Sequence, residues 1–220
     1  MLIKLMTVEN KNELLTSQGQ VIEIIDKLKS DSFPELLNTR IELGSVESGS
    51  VFLESRPKLF SLFWPFKIRY LVNINPKLYE AELPLFALEG ILAHELAHTS
   101  FYISKGRFGT IMTGLVFLNH DKHVAFERST DIDAITRGYG EGIKMYRQIM
   151  FRNLSQAQKK IKAERYYTDE EIDSLVAAHQ NYPELRDMWM KKPPLNLNSI
   201  NHDVSIIAKR GSNIDSTSLT

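Results

Sequence analysis

His94-Glu95-Leu96-Ala97-His98 sets two imidazoles four residues apart with a carboxylate beside the first. On a helix, residues four apart lie one turn above each other, so both rings face one side and can fill two corners of a tetrahedral zinc site. Glu95 sits one step around the helix. There its carboxylate reaches the edge of such a site, where it can hold a water molecule and take its proton, the general-base role in zinc hydrolysis. A third protein ligand has to come from elsewhere.

The segment Phe126-Glu127-Arg128-Ser129-Thr130-Asp131-Ile132-Asp133-Ala134 supplies the candidates. Glu127 and Asp131 are again four apart, and on a helix they share a face with Thr130, Ala134 and Ile135. That face suits packing against another helix, and acids on a packing face need a cation or a donor. Zinc is the cation for Glu127, and the ring N–H of a ligating histidine is the donor for Asp131. Asp133 points elsewhere, toward solvent. The competing reading is an exposed acidic face with Arg128 and Arg137 as solvent neighbours.

The composition narrows the chemistry further. With no cysteine in 220 residues, thiolate metal sites, iron–sulfur clusters, disulfides and a cysteine nucleophile are excluded, so any metal is held by His, Asp or Glu. Lys plus Arg and Asp plus Glu both total 27, which removes a global electrostatic drive toward nucleic acid. The N-terminus turns polar before a signal core forms, and the apolar run near Ile111 to Leu118 is shorter than the ~20 residues of a spanning helix. These features predict a cytoplasmic protein without a transmembrane segment.

Helical spacing predicts an amphipathic helix from Ser17 to Lys29 and a motif helix from about Pro84 to Tyr102. A further helix runs from Asp121, a candidate cap, toward Gly138, Gly140 and Gly142, and Thr168-x-x-Glu171 has the form of a capping box. Between them, Arg40 to Leu43 and Ser50 to Leu53 predict a hairpin, and Phe66 to Val72 alternates like a half-buried strand. Phe60, Phe63, Trp64 and Phe66 read as the core side of that strand plus an approach loop, with a membrane-surface patch as the weaker alternative. The lysines at 159, 160, 162, 191 and 192 read as a solvated face. Beyond Pro194 the Ser, Asn, Thr and Asp content predicts a flexible tail, the rival reading being that Val204 to Ile207 docks as a strand near the cleft.

With His94-Glu95-x-x-His98 followed by Glu127-x-x-x-Asp131, the chain resembles the gluzincin clan of zinc metallopeptidases. Within it, the sequence is similar to the soluble core of CAAX-prenyl-protease-like and heat-shock-protease-like peptidases and to the reduced minigluzincins. Val72-Asn73-Ile74-Asn75-Pro76-Lys77-Leu78 ahead of the motif, and Ala134 three residues after Asp131, agree with such cores. The resemblance is strongest over residues 65–150. It implies an α+β, zincin-like domain over residues 1–192, mainly helical with a small N-terminal β-sheet, followed by a tail over 193–220.

It further implies Zn²⁺ held by His94, His98 and Glu127, Glu95 as catalytic base and Asp131 as partner of a ligating histidine. Lys67 to Asn73 becomes the edge strand that aligns a peptide or protein substrate. For the group that stabilises the oxyanion, His120, His123, Tyr139 and Arg137 remain open. The expected function is a zinc-dependent peptidase. The alternatives are a non-catalytic zinc protein with a structural or partner-binding role and, third, a membrane-surface scaffold.

Overall fold

The computed structural model describes residues 13–49, 51–63, 68–116, 119–152 and 154–217. The N-terminal residues read for a signal core, and Trp64, Phe66 and Lys67, lie outside them. Among the described residues the protein is mostly helical with one three-stranded sheet. The helices are α1 (Gln18–Asp31), α2 (Leu59–Leu62), α3 (Leu85–Val116), α4 (His120–Ala134), α5 (Gly140–Met150), α6 (Gln156–Arg165), α7 (Asp169–Asn181), α8 (Leu185–Lys191) and α9 (Leu197–Thr217). The strands are β1 (Ile41–Ser45), β2 (Leu53–Pro57) and β3 (Tyr70–Ile74).

The motif helix α3 is the axis of the fold. Every residue from Ala87 to Thr99 is buried, so this stretch is covered on all sides rather than along one stripe. Its start is pinned by the N-terminal segment, where Leu15 N–H donates to Leu83 O at 2.8 Å and Leu85 N–H to Glu13 O at 2.7 Å. The sheet covers one side through β2, while α1, α4 and α5 pack on the others. The closest approach is to α5. A Cβ on Gly90 would lie 2.4 Å from the Gly142 carbonyl carbon, and one on Gly142 would lie 2.5 Å from Phe86 O, so only glycine fits on either side of this crossing.

The helix runs past Tyr102, where the sequence spacing ends it, and breaks instead at Gly106. There the backbone takes φ 62°, a conformation open to glycine, before helix resumes to Val116. At the start of α4 the cap is Asn119, not Asp121: its Oδ1 accepts the Lys122 N–H at 2.9 Å. The capping boxes at Ser17/Gln20 and Thr168/Glu171 are both formed.

The sheet departs from the expected hairpin. Its order is β1-β3-β2, with β3 central, parallel to β1 and antiparallel to β2. The segment expected to be the edge strand is therefore the middle one, and Tyr70, Val72, Asn73 and Ile74 are buried. The strand lying against α3 is β2. Of the aromatic segment, the two described phenylalanines are not core: Phe60 and Phe63 are 88% and 79% exposed.

The C-terminal region also departs from expectation. It is a helix, opened by Asn196, whose Oδ1 accepts the Ser199 N–H at 2.9 Å. Ile200 is fully buried, Val204 and Ile207 pack against the core, and Asp203 accepts the Trp189 indole N–H at 2.9 Å. Ile200→Ala should accordingly cost about 2–5 kcal/mol in urea unfolding, against less than ~0.5 kcal/mol for Leu195→Ala at an exposed position. Equal, small effects would show that α9 does not dock.

Candidate metal centre

His94 and His98 project from α3 toward α4, which returns Glu127 to face them. The three side chains are buried, and His94 Nε2, His98 Nε2 and Glu127 Oε2 form a triangle with sides of 3.1, 3.4 and 3.5 Å. Zinc–ligand bonds of 2.0–2.1 Å in a tetrahedron put neighbouring donor atoms about 3.3–3.4 Å apart. The triangle therefore has the dimensions of one tetrahedral face. Glu127 Oε2 is a buried acceptor with no hydrogen-bond donor of its own. A carboxylate oxygen desolvated in this way calls for a cation, and this His94/His98/Glu127 group could hold a metal ion.

The surrounding contacts aim the lone pairs inward. His94 Nδ1 faces Asp131 Oδ1 at 2.8 Å, and a proton there leaves Nε2 with its lone pair. Asp131, fully buried, is gripped in turn by the Arg147 guanidinium at 2.6 Å. His98 Nδ1 lies 3.3 Å from Thr130 Oγ1, whose own proton goes to Phe126 O at 2.7 Å. Thr130 can then only accept, which places the His98 proton on Nδ1 and frees Nε2. His123 Nε2, 3.2 Å from Glu127 Oε1, occupies the second oxygen of that carboxylate.

Glu95 stands beside the triangle without joining it. Its Oε2 accepts the backbone N–H of Ser55 on β2 at 2.5 Å, and Ser55 Oγ meets Thr99 Oγ1 at 2.8 Å. The general-base candidate is thus tied to the strand nearest α3. Burial raises the Glu95 pKa, with the nearby histidines working the other way. A cavity of about 30 Å³ touches His94 and Glu95 and is closed by Tyr146, Arg147, Lys162 and Tyr166.

Electrostatics bind the cluster together. Burial works against a charged His94, but Asp131 and Glu127 outweigh it and hold its pKa up at about 10. Burial likewise works against both carboxylates, yet His98, His123 and His94 hold Glu127 well below the usual range, and Arg147 and His94 lower Asp131. The site thus favours positive charge among these groups, whether a proton or a metal ion.

The residues read from sequence divide accordingly. His94, His98, Glu127, Glu95 and Asp131 are brought together. Of the four oxyanion candidates, His123 is engaged with Glu127, while His120 lies 3.8 Å from Glu164 at the surface. Tyr139 bonds Ser32 at 2.6 Å, and Arg137 bonds Asp133 at 2.9 Å. Asp133 is not solvated: it is buried between Arg137 and Arg186. Arg128 is also buried, bonded to Pro194 O and stacked over Tyr167. Lys162 leaves the expected solvated face to line the cavity, where burial lowers its pKa.

Thr130, Arg147 and Tyr166 join the site without a role that the sequence alone assigns them. Thr130 was legible through its place on the Glu127 face. Arg147 and Tyr166 carry no local spacing signal. In comparisons with protein-family models, curated proteins and solved structures, the chain matched none.

Metal analysis tests this centre. The purified protein should carry about one metal ion per chain, and His98→Ala or Glu127→Ala should abolish it. Arg147→Met should weaken affinity by about tenfold or more through Asp131. Because a metal must displace the His94 proton, affinity should rise by about tenfold per pH unit through neutrality, read by chelator competition. A pH-independent affinity would contradict the raised His94 pKa.

Proposed function

We propose that this chain is a zinc-dependent peptidase of the gluzincin type, similar to the soluble cores of CAAX-prenyl-protease-like and heat-shock-protease-like enzymes. The carrying observation is the tetrahedral-face geometry of His94, His98 and Glu127 with a buried, unligated Glu95 next to it. A site serving structure alone needs no carboxylate in that position and generally fills its fourth corner with protein. An imidazole, imidazole and carboxylate set without thiolate suits zinc.

Bound there, zinc would acidify water and polarise a substrate carbonyl. Glu95 then takes the proton as the water oxygen bonds to the carbonyl carbon, and passes it to the amine nitrogen as the C–N bond breaks. Asp131 with Arg147 fixes the His94 ring, Thr130 fixes His98, and His123 keeps Glu127 to one free oxygen. The outer side of β2 is the natural rail for an extended peptide, since the Ser55 N–H points away from β3 and toward α3. A substrate strand pairing there would take this N–H from Glu95, freeing the carboxylate as the peptide arrives.

One observation favours the second reading, a metal protein without substrate. The cavity beside His94 and Glu95 has room for a water molecule or two, not a peptide, so catalysis requires the site to open.

Glu95→Gln separates the two readings. It should retain the metal and lose at least ~100-fold in chelator-sensitive cleavage of a peptide library. Wild-type protein that binds metal stoichiometrically yet cleaves nothing, with or without zinc, would favour the non-catalytic reading.

A further inference from the structure

The three most exposed large apolar side chains among the described residues, Phe60, Phe63 and Phe108, are 88%, 79% and 77% exposed and belong to one end of the molecule. Phe60 and Phe63 sit on and just after α2, which follows β2 directly. Phe108 lies in the part of α3 beyond the Gly106 break, where Ile111 and Met112 are also exposed. The two elements are joined: the Arg107 guanidinium donates to Ser61 O at 2.8 Å and Leu62 O at 2.9 Å. The break at Gly106 is therefore what brings a second apolar surface beside α2.

This end is also cationic. Lys58 and Arg69 flank α2, linked by the Lys58 N–H to Arg69 O bond at 2.8 Å, and Arg40 joins them around Glu42 at 3.1–3.5 Å. Lys105 and Arg107 add two more positive charges at the break. Three cations thus share the single carboxylate of Glu42, and two more stand at the neighbouring break. Protruding phenylalanines within a cationic collar match the interfacial layer of an anionic bilayer: rings enter the acyl boundary while Lys and Arg meet the headgroups. A protein partner fits less well, since three cations sharing one carboxylate beside these rings complement an anionic layer, whereas the buried core of a protein interface is depleted of charge. No helix among the described residues is long and apolar enough to cross a membrane, so the contact is one of lying on the surface.

We propose that the α2 and post-Gly106 end of the protein docks on anionic lipid surfaces, inserting Phe60, Phe63 and Phe108. This stands independently of the metal site.

Co-sedimentation of the full chain with phosphatidylcholine vesicles, with and without phosphatidylserine, tests it. Binding should require phosphatidylserine and weaken with added salt. Phe63→Glu combined with Phe108→Glu should lose about tenfold or more in vesicle affinity, with metal content and circular dichroism unchanged. Leu195→Glu, at another exposed apolar position, should bind as the wild type does. If the double variant fails to fold, Phe108→Ser alone should still weaken binding. The proposal is overturned if the wild type ignores phosphatidylserine vesicles, or if the folded variants bind as tightly as it does. It is equally overturned if light scattering shows a dimer that the double variant splits while no vesicle binding occurs, because the patch then pairs two copies of the chain.

Discussion

Two imidazole nitrogens and a carboxylate oxygen within 3.5 Å of one another, all buried, repel unless a positive charge sits among them. That constraint organises the surrounding protein. It demands that α3 and α4 approach closely along their acidic and histidine faces. It also demands that Asp131, placed to fix His94, be neutralised in turn, which is why an arginine is buried beside it. Arg147 reaches Asp131 from α5, and α5 is held against α3 by the Gly90/Gly142 contact. Packing of two bare backbones thus sets the distance at which a cation meets the carboxylate supporting the site.

The site was legible where chemistry repeats at the period of a helix. His94/His98 and Glu127/Asp131 are each four apart, and a buried helix converts that spacing directly into a shared face. His123, four before Glu127, carries the same signal and can be found by the same rule once Glu127 is fixed. Arg147 cannot. It depends on the turn at Ile135–Tyr139, where Gly138 takes φ 100° and redirects α5 so that a residue sixteen positions on returns to Asp131. Lys162 and Tyr166 lie still further along, and their role depends on how α6 folds over the site.

The sheet and the C-terminus show opposite failures of local reading. Two short β-favouring runs around a glycine turn suggest a hairpin, yet β3, buried on nearly its whole length, gains more by lying between them than at an edge. Strand pairing is a long-range choice that local pattern does not encode. In the C-terminal region the periodicity was present: Ile200, Val204 and Ile207 follow i, i+4, i+7. Polar composition hid it. A few apolar anchors suffice when they meet the core presented by α7 and α8, since their burial offsets the entropy of ordering one helix.

Charge is the third lesson. A net charge of zero excludes a partner only if charge is evenly spread, and here it is not. At the α2 end the cations outnumber the carboxylate they share, while acids gather elsewhere, as in the first turn of α7, where Asp169, Glu170 and Glu171 face the helix N-terminus. The balance of the chain is a sum over opposed local fields. Within a Debye length of about 8–10 Å a ligand or a surface meets one of those fields and not their sum. Segregation in space, produced by the break at Gly106 and the strand leading into α2, therefore decides what each end of the molecule can attract.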